Sequence, residues 1–80
     1  MTATHIRPLT NPEGGDLYKL DPPFGPDEDE FVRVECADYN RLYMVHPSNS
    51  EGRWFTYKPL AKGSTVQEAL FNLAGYRIAR

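Results

Sequence analysis

The sequence predicts an α+β fold: a three-stranded antiparallel sheet with one C-terminal helix packed on a face, preceded by an irregular Pro-rich N-terminal arm. Three observations predict it. Five of the seven prolines (Pro8, Pro12, Pro22, Pro23 and Pro26) fall within residues 1–30, where lost backbone donors and fixed φ angles oppose long regular elements. From Phe31 onward, three short segments are rich in β-branched and aromatic residues and are separated by turn formers. Residues 65–76 then change to a helical period. The chain thus divides into an acidic Pro/Gly-rich arm over residues 1–30, partly ordered, and a globular domain of ββ-β-α order over residues 31–80.

Within the arm, "DLYKL" (16–20) alternates like one edge strand, with Leu17 and Lys19 opposite Tyr18 and Leu20. "PDEDE" (26–30) reads as a solvated acidic turn. "FVRVECAD" (31–38) is a half-buried strand: Val32, Val34 and Cys36 face the core, and Arg33 and Glu35 face solvent. "RLYMVH" (41–46) and "RWFTYKPL" (53–60) follow as strands apolar on both faces. Pro59 ends the latter or marks an edge. Short loops favour antiparallel neighbours.

The helix begins at a capping box, Ser64 with Gln67 or Thr65 with Glu68. Thr65 is preferred because Val66 then opens the apolar stripe. Val66, Ala69, Leu70, Leu73 and Ala74 share that face, and Gly75 supplies the left-handed cap. "YRIAR" closes the chain and can lie back along the sheet. Phe71 stands roughly 130° from the stripe centre. Two readings account for it. A Schellman cap would bring Phe71 against Tyr76, or the ring would dock a partner or a second copy.

Composition narrows the function. The 80 residues carry a net charge of −2 and are 40% hydrophobic, which allows one domain at most. Two bases against seven acids leave −5 in residues 1–30, and seven bases against four acids leave +3 in residues 31–80. Opposite signs could attract the arm to the body or present two different faces to partners. The single cysteine, Cys36, forbids an internal disulfide and points to a reducing cytoplasm. Membrane insertion is not expected, because no run approaches about 20 apolar residues. The N-terminus also lacks the blocks of a signal peptide.

No catalytic residue, cofactor site or metal site is expected. His5, His46 and Cys36 lack metal-ligand spacing. Cys36 alternates with Val32 and Val34 and reads as core filler rather than a nucleophile. Phosphate-binding and nucleophile-elbow motifs are missing.

What remains is surface. One helix covers one face of a small sheet, so the two-sided strands need the arm, the tail or another molecule over them. Tyr43 with Arg41, and Trp54 with Arg53, join Phe71 as candidate partner-binding residues, because aromatics and arginine dominate binding hot spots. The expected activity is non-enzymatic binding of a protein partner through this aromatic-basic patch. The alternatives are a homodimer or other small homo-oligomeric subunit, and single-stranded nucleic acid stacked on the sheet. The acidic balance disfavours nucleic acid.

The pieces "VRVE", "YMVHP", "NSEGRW", "GS" (63–64) and "ALFNLAGY" occur in that order between Val32 and Ile78. The layout resembles short uncharacterised accessory proteins of mycobacteriophages and related actinobacteriophages. That resemblance implies an accessory protein in the cytoplasm of an infected bacterial host, with a host or phage protein as the expected partner, and it implies no particular site residue. Residues 1–30 have no counterpart in it.

Overall fold

A computed structural model of the protein describes residues 1–9, 15–37, 41–53 and 58–79. Its elements are β1 (Thr2–Pro8), β2 (Asp16–Phe24), β3 (Asp29–Ala37), β4 (Leu42–Ser48), β5 (Ala61–Gly63), α1 (Val66–Ala74) and β6 (Arg77–Ile78). They form one curled, half-barrel sheet of order β5-β4-β3-β2-β1-β6. All neighbours are antiparallel except β6, which lies parallel to β1.

This corrects the expected architecture. The sheet is six-stranded and mixed rather than three-stranded, and the arm expected to be irregular supplies β1 and β2. The prolines permit this because of where they stand. Pro8 ends β1. Pro22 and Pro23 follow Asp21, the last β2 residue paired with β1, and fall in the register break of the β2–β3 ladder between Lys19 and Phe24. A proline at a strand end or an irregularity removes no ladder bond. The expected strand over residues 53–60 lies partly outside the described residues. Lys58, Pro59 and Leu60 are not in a strand, and the edge strand comes just after them, at β5.

The expected β3 and β4 are present, paired from Phe31↔Ser48 to Ala37↔Leu42. "DLYKL" alternates as read. Tyr18 and Leu20 join the core, while Leu17 is buried beside Arg33 on the other face. The core holds Ala3, Tyr18, Leu20, Val32, Val34 and Val45 from the sheet, with Ala69, Leu70 and Tyr76 opposite.

Thr65 caps α1, its Oγ1 accepting from the Glu68 N–H at 3.0 Å. The Glu68 carboxylate reaches back to Ser64 rather than Thr65, accepting from its N–H at 3.1 Å and its hydroxyl at 3.0 Å. Thr65→Ala should therefore lower stability by about 1 kcal/mol, read as a shift in the urea midpoint at unchanged slope.

One helix seals both edges of the sheet. At β5, Gly63 lets the strand touch the helix backbone: a Cβ there would stand 2.4 Å from the Ala69 nitrogen. Asn72 Nδ2 donates to the Lys62 carbonyl at 2.9 Å. At β6, Gln67 Nε2 donates to the Tyr76 carbonyl at 3.1 Å, and the Ile78 N–H donates to Gln67 Oε1 at 2.9 Å. Unpaired strand edges invite other chains, and two side-chain amides occupy both here.

Tyr76 is fully buried and donates its hydroxyl to the Pro22 carbonyl at 2.5 Å. Burial, then the nearby Asp21 charge, raises its pKa above the ordinary 10.0. Burial, then Asp16, does the same for Tyr18. Folding thus favours both neutral phenols. Their contribution is complete below pH 10 and is lost as pH rises from 10 through the raised folded-state values. Stability should fall in that window, with phenolate absorbance appearing together with unfolding.

Candidate functional site

The second face of the sheet carries the main departure from the strand reading. Arg33 and Glu35, placed toward solvent by alternation, are buried, and so is His46. Arg33 Nε lies 2.6 Å from Glu35 Oε1, and Glu35 Oε2 lies 3.9 Å from His46 Nε2. Gly15 stands against Glu35, where an added Cβ would meet Glu35 Cγ at 3.2 Å, and Gly52 stands against Arg33. Arg33 Nη1 donates to the Gly52 carbonyl at 3.0 Å. Asn49 Oδ1 shapes the loop by accepting from the Glu51 and Arg53 N–H groups at 2.9 and 3.0 Å. Gly52 has φ +88°, and a Cβ on it would meet Leu9 at 2.6 Å. The cluster is roofed and structural.

Cys36 is corrected in the opposite sense. It keeps its predicted phase with Val32 and Val34 yet is exposed. Alternation assigns a face but does not say how far along the strand the cover reaches, and Cys36 stands one residue from the end of β3.

The candidate partner-binding residues are dispersed. Tyr43 is half-buried, packed against the core and paired with Cys36 and Gly63. Arg41 is exposed before β4, and Arg53 is exposed in the loop after it. Seven residues of strand put these arginines about 20–25 Å apart. Trp54 lies outside the described residues.

Phe71 is 50% exposed. The expected packing of Phe71 on Tyr76 is replaced by a different arrangement. The helix ends in a simple left-handed cap, with Gly75 at φ 78° and its N–H donating to the Phe71 carbonyl at 2.7 Å. The chain then turns Tyr76 into the core and Arg77 outward. The Arg77 guanidinium carbon lies 5.9 Å from the Phe71 ring centroid, within cation–π range.

Together with Thr65, Gln67, Glu68 and Ile78, these two residues line a shallow groove between α1 and β6. The sequence marks none of Arg77, Gln67 and Ile78 as a groove residue, and offers Gln67 only as a capping-box partner of Ser64. Arg77 follows Phe71 by six residues, a spacing that a helix alone would not juxtapose, and only the glycine turn brings it back. A polar pair of another kind joins β1 to β2: His5 Nε2 lies 2.8 Å from Asp16 Oδ1, with the imidazole edge-on to Tyr18 at 5.3 Å.

Among the described residues, no group of three or more His, Cys, Asp or Glu side chains is placed to hold a metal ion. No helix there is long and apolar enough to cross a membrane. Fold and groove together define a small, mostly β domain with an aromatic-basic surface at the helix flank. No protein-family model matches the chain, and no curated protein or solved structure matches it at a significant level.

Proposed function

We propose that this chain is a small non-enzymatic protein-binding module that docks a partner in the groove between α1 and β6. The observation that carries this reading is the half-exposed Phe71 ring held beside the outward Arg77 guanidinium. A large apolar surface and an arginine fork on one rigid support are the pairing on which binding hot spots are built. The groove is open to solvent, and its walls are fixed by the helix cap and the β6 ladder.

Protein is favoured over single-stranded nucleic acid. Stacking needs an open sheet face with cations beside it. Here Val32, Val34 and Val45 are buried in the core, Arg33 is engaged internally, and Arg41 and Arg53 stand at opposite ends of β4. The setting we propose, following the resemblance, is the cytoplasm of an infected bacterial host, which suits a chain with a single exposed cysteine.

Phe71→Ala and Arg77→Glu should each lower partner capture from a host lysate at least about tenfold, as expected for hot-spot positions. Their folding stability should stay within about 0.5 kcal/mol of the native protein's, the range for exposed substitutions. Retention of every captured protein by both variants overturns the reading. Arg41→Glu and Arg53→Glu serve as controls on the same charge scale.

A further inference from the structure

We propose that the outer edge of β6 is a strand-addition site, taken by an extended acidic segment of the partner protein in parallel register, and that the Gln67 amide is the plug this segment displaces. The inference rests on the docking role of the groove proposed above.

The hydrogen-bonding directions along β6 carry it. The N–H groups of Arg77 and Ala79 face β1, donating to the Met1 and Ala3 carbonyls at 3.0 and 2.9 Å. Alternation then turns the Ile78 N–H away from β1, toward the groove. There Gln67 takes two groups at once: its Nε2 donates to the Tyr76 carbonyl, and its Oε1 accepts from the Ile78 N–H. In a parallel ladder, the N–H and C=O of one residue reach the carbonyl before and the N–H after the residue opposite. The Gln67 amide occupies those two points around Arg77. A side chain is standing in for one residue of a seventh strand, so this edge already binds a peptide-like group.

The groove also specifies what the segment carries. The Glu68 carboxylate is turned toward Ser64 by two hydrogen bonds, whereas Arg77 stands beside Phe71 on the β6 side of the groove, where a carboxylate of the segment complements it. The half-exposed Phe71 ring offers an apolar contact beside that charge. Strand addition takes affinity from main-chain bonds and specificity from alternate side chains, and this edge supplies both. Displacing Gln67 exchanges two side-chain hydrogen bonds for main-chain ones and returns rotamer freedom to a long side chain. The opposite edge differs: β5 carries the exposed Lys62, a common guard of free edges.

The probe is the peptide Val-Glu-Val-Glu-Val, acetylated and amidated, titrated into the intact chain and followed by amide NMR. Two analogues accompany it, one N-methylated on its valines and one on its glutamates. The Ile78 backbone amide and the Gln67 side-chain amide should move together and saturate. One analogue alone should bind about tenfold more weakly, because only one set of N–H groups faces β6. Gln67→Ala, checked for native circular dichroism, should bind the parent peptide about fivefold more tightly.

Equal binding of both analogues to the native chain, or no saturable shift at millimolar peptide, overturns strand addition. So does Gln67→Ala binding no more tightly, or self-association in sedimentation that the peptide leaves unchanged. If Phe71→Ala still loses the partner in those cases, the docking role stands without the strand. If it does not, both fall.

Discussion

Glu35→Ala should destabilise the fold by about 3–5 kcal/mol, the cost of removing one member of a buried ion pair. The Arg33 guanidinium lies 2.6 Å from the Glu35 carboxylate, and both are buried. Alanine takes the anion from beside a buried cation and from beside His46, and leaves a void. A chain of 80 residues has a total stability on the order of 4–12 kcal/mol, so the variant should be partly or wholly unfolded at moderate temperature. The decisive comparison is the double exchange Arg33→Met with Glu35→Leu. Replacing a whole buried pair by apolar side chains of similar size is often neutral or stabilising. It should therefore recover most of the loss. Urea unfolding of native, single and double variants reads this directly. If Glu35→Ala costs less than about 1 kcal/mol, the median range of exposed pairs, the pair is not buried as described.

Leu70→Ala should cost about 2–5 kcal/mol. Leu70 is fully buried in the core cluster that also holds Val32, Val34 and Val45. Its loss leaves a void between layers that cannot close, because the helix is pinned at β5 and β6 by Asn72 and Gln67. Gly63→Ala attacks the same seat from the other side. Its methyl would meet the Ala69 backbone at 2.4 Å, forcing the helix off β5 at a cost of about 1–3 kcal/mol. Thermal melts should place both variants well below the native protein, since each kcal/mol shifts a domain of this size by about 4–8 °C. Hydrogen exchange should show the β5 edge opening in Gly63→Ala.

The contrast between Leu70 and Gly63 shows how much of the molecule was legible. The helix was read to its caps, because Thr65, Glu68 and Gly75 act through bonds a few residues long. β3 and β4 are legible for a similar reason, since alternation is local. The size of the sheet is not legible from proline content: whether Pro22 and Pro23 harm a ladder depends on the partner's register. The burial of Arg33, Glu35 and His46 was hidden for a related reason. A polar face is solvated unless a distant segment covers it, and here Gly52 lies against Arg33 and Gly15 against Glu35. In the candidate groove, Phe71 was legible as a ring off the apolar stripe. Arg77 and Gln67 were not, because their juxtaposition is made by the turn at Gly75 and the pairing of β6 with β1.

The sequence by itself determined the local units: the capped helix and its apolar stripe, the alternating β3 and β4, the strand-like "DLYKL", and an aromatic ring with no place on the helix's inner face. Only the tertiary structure decided that β1 and β2 complete the sheet, that an ion pair is buried on its second face, and that Phe71 and Arg77 share a groove. The physical reason is range. Caps, turns and alternation are settled by neighbours in the chain, whereas strand register, burial and groove geometry are settled by residues that meet only after the chain has folded.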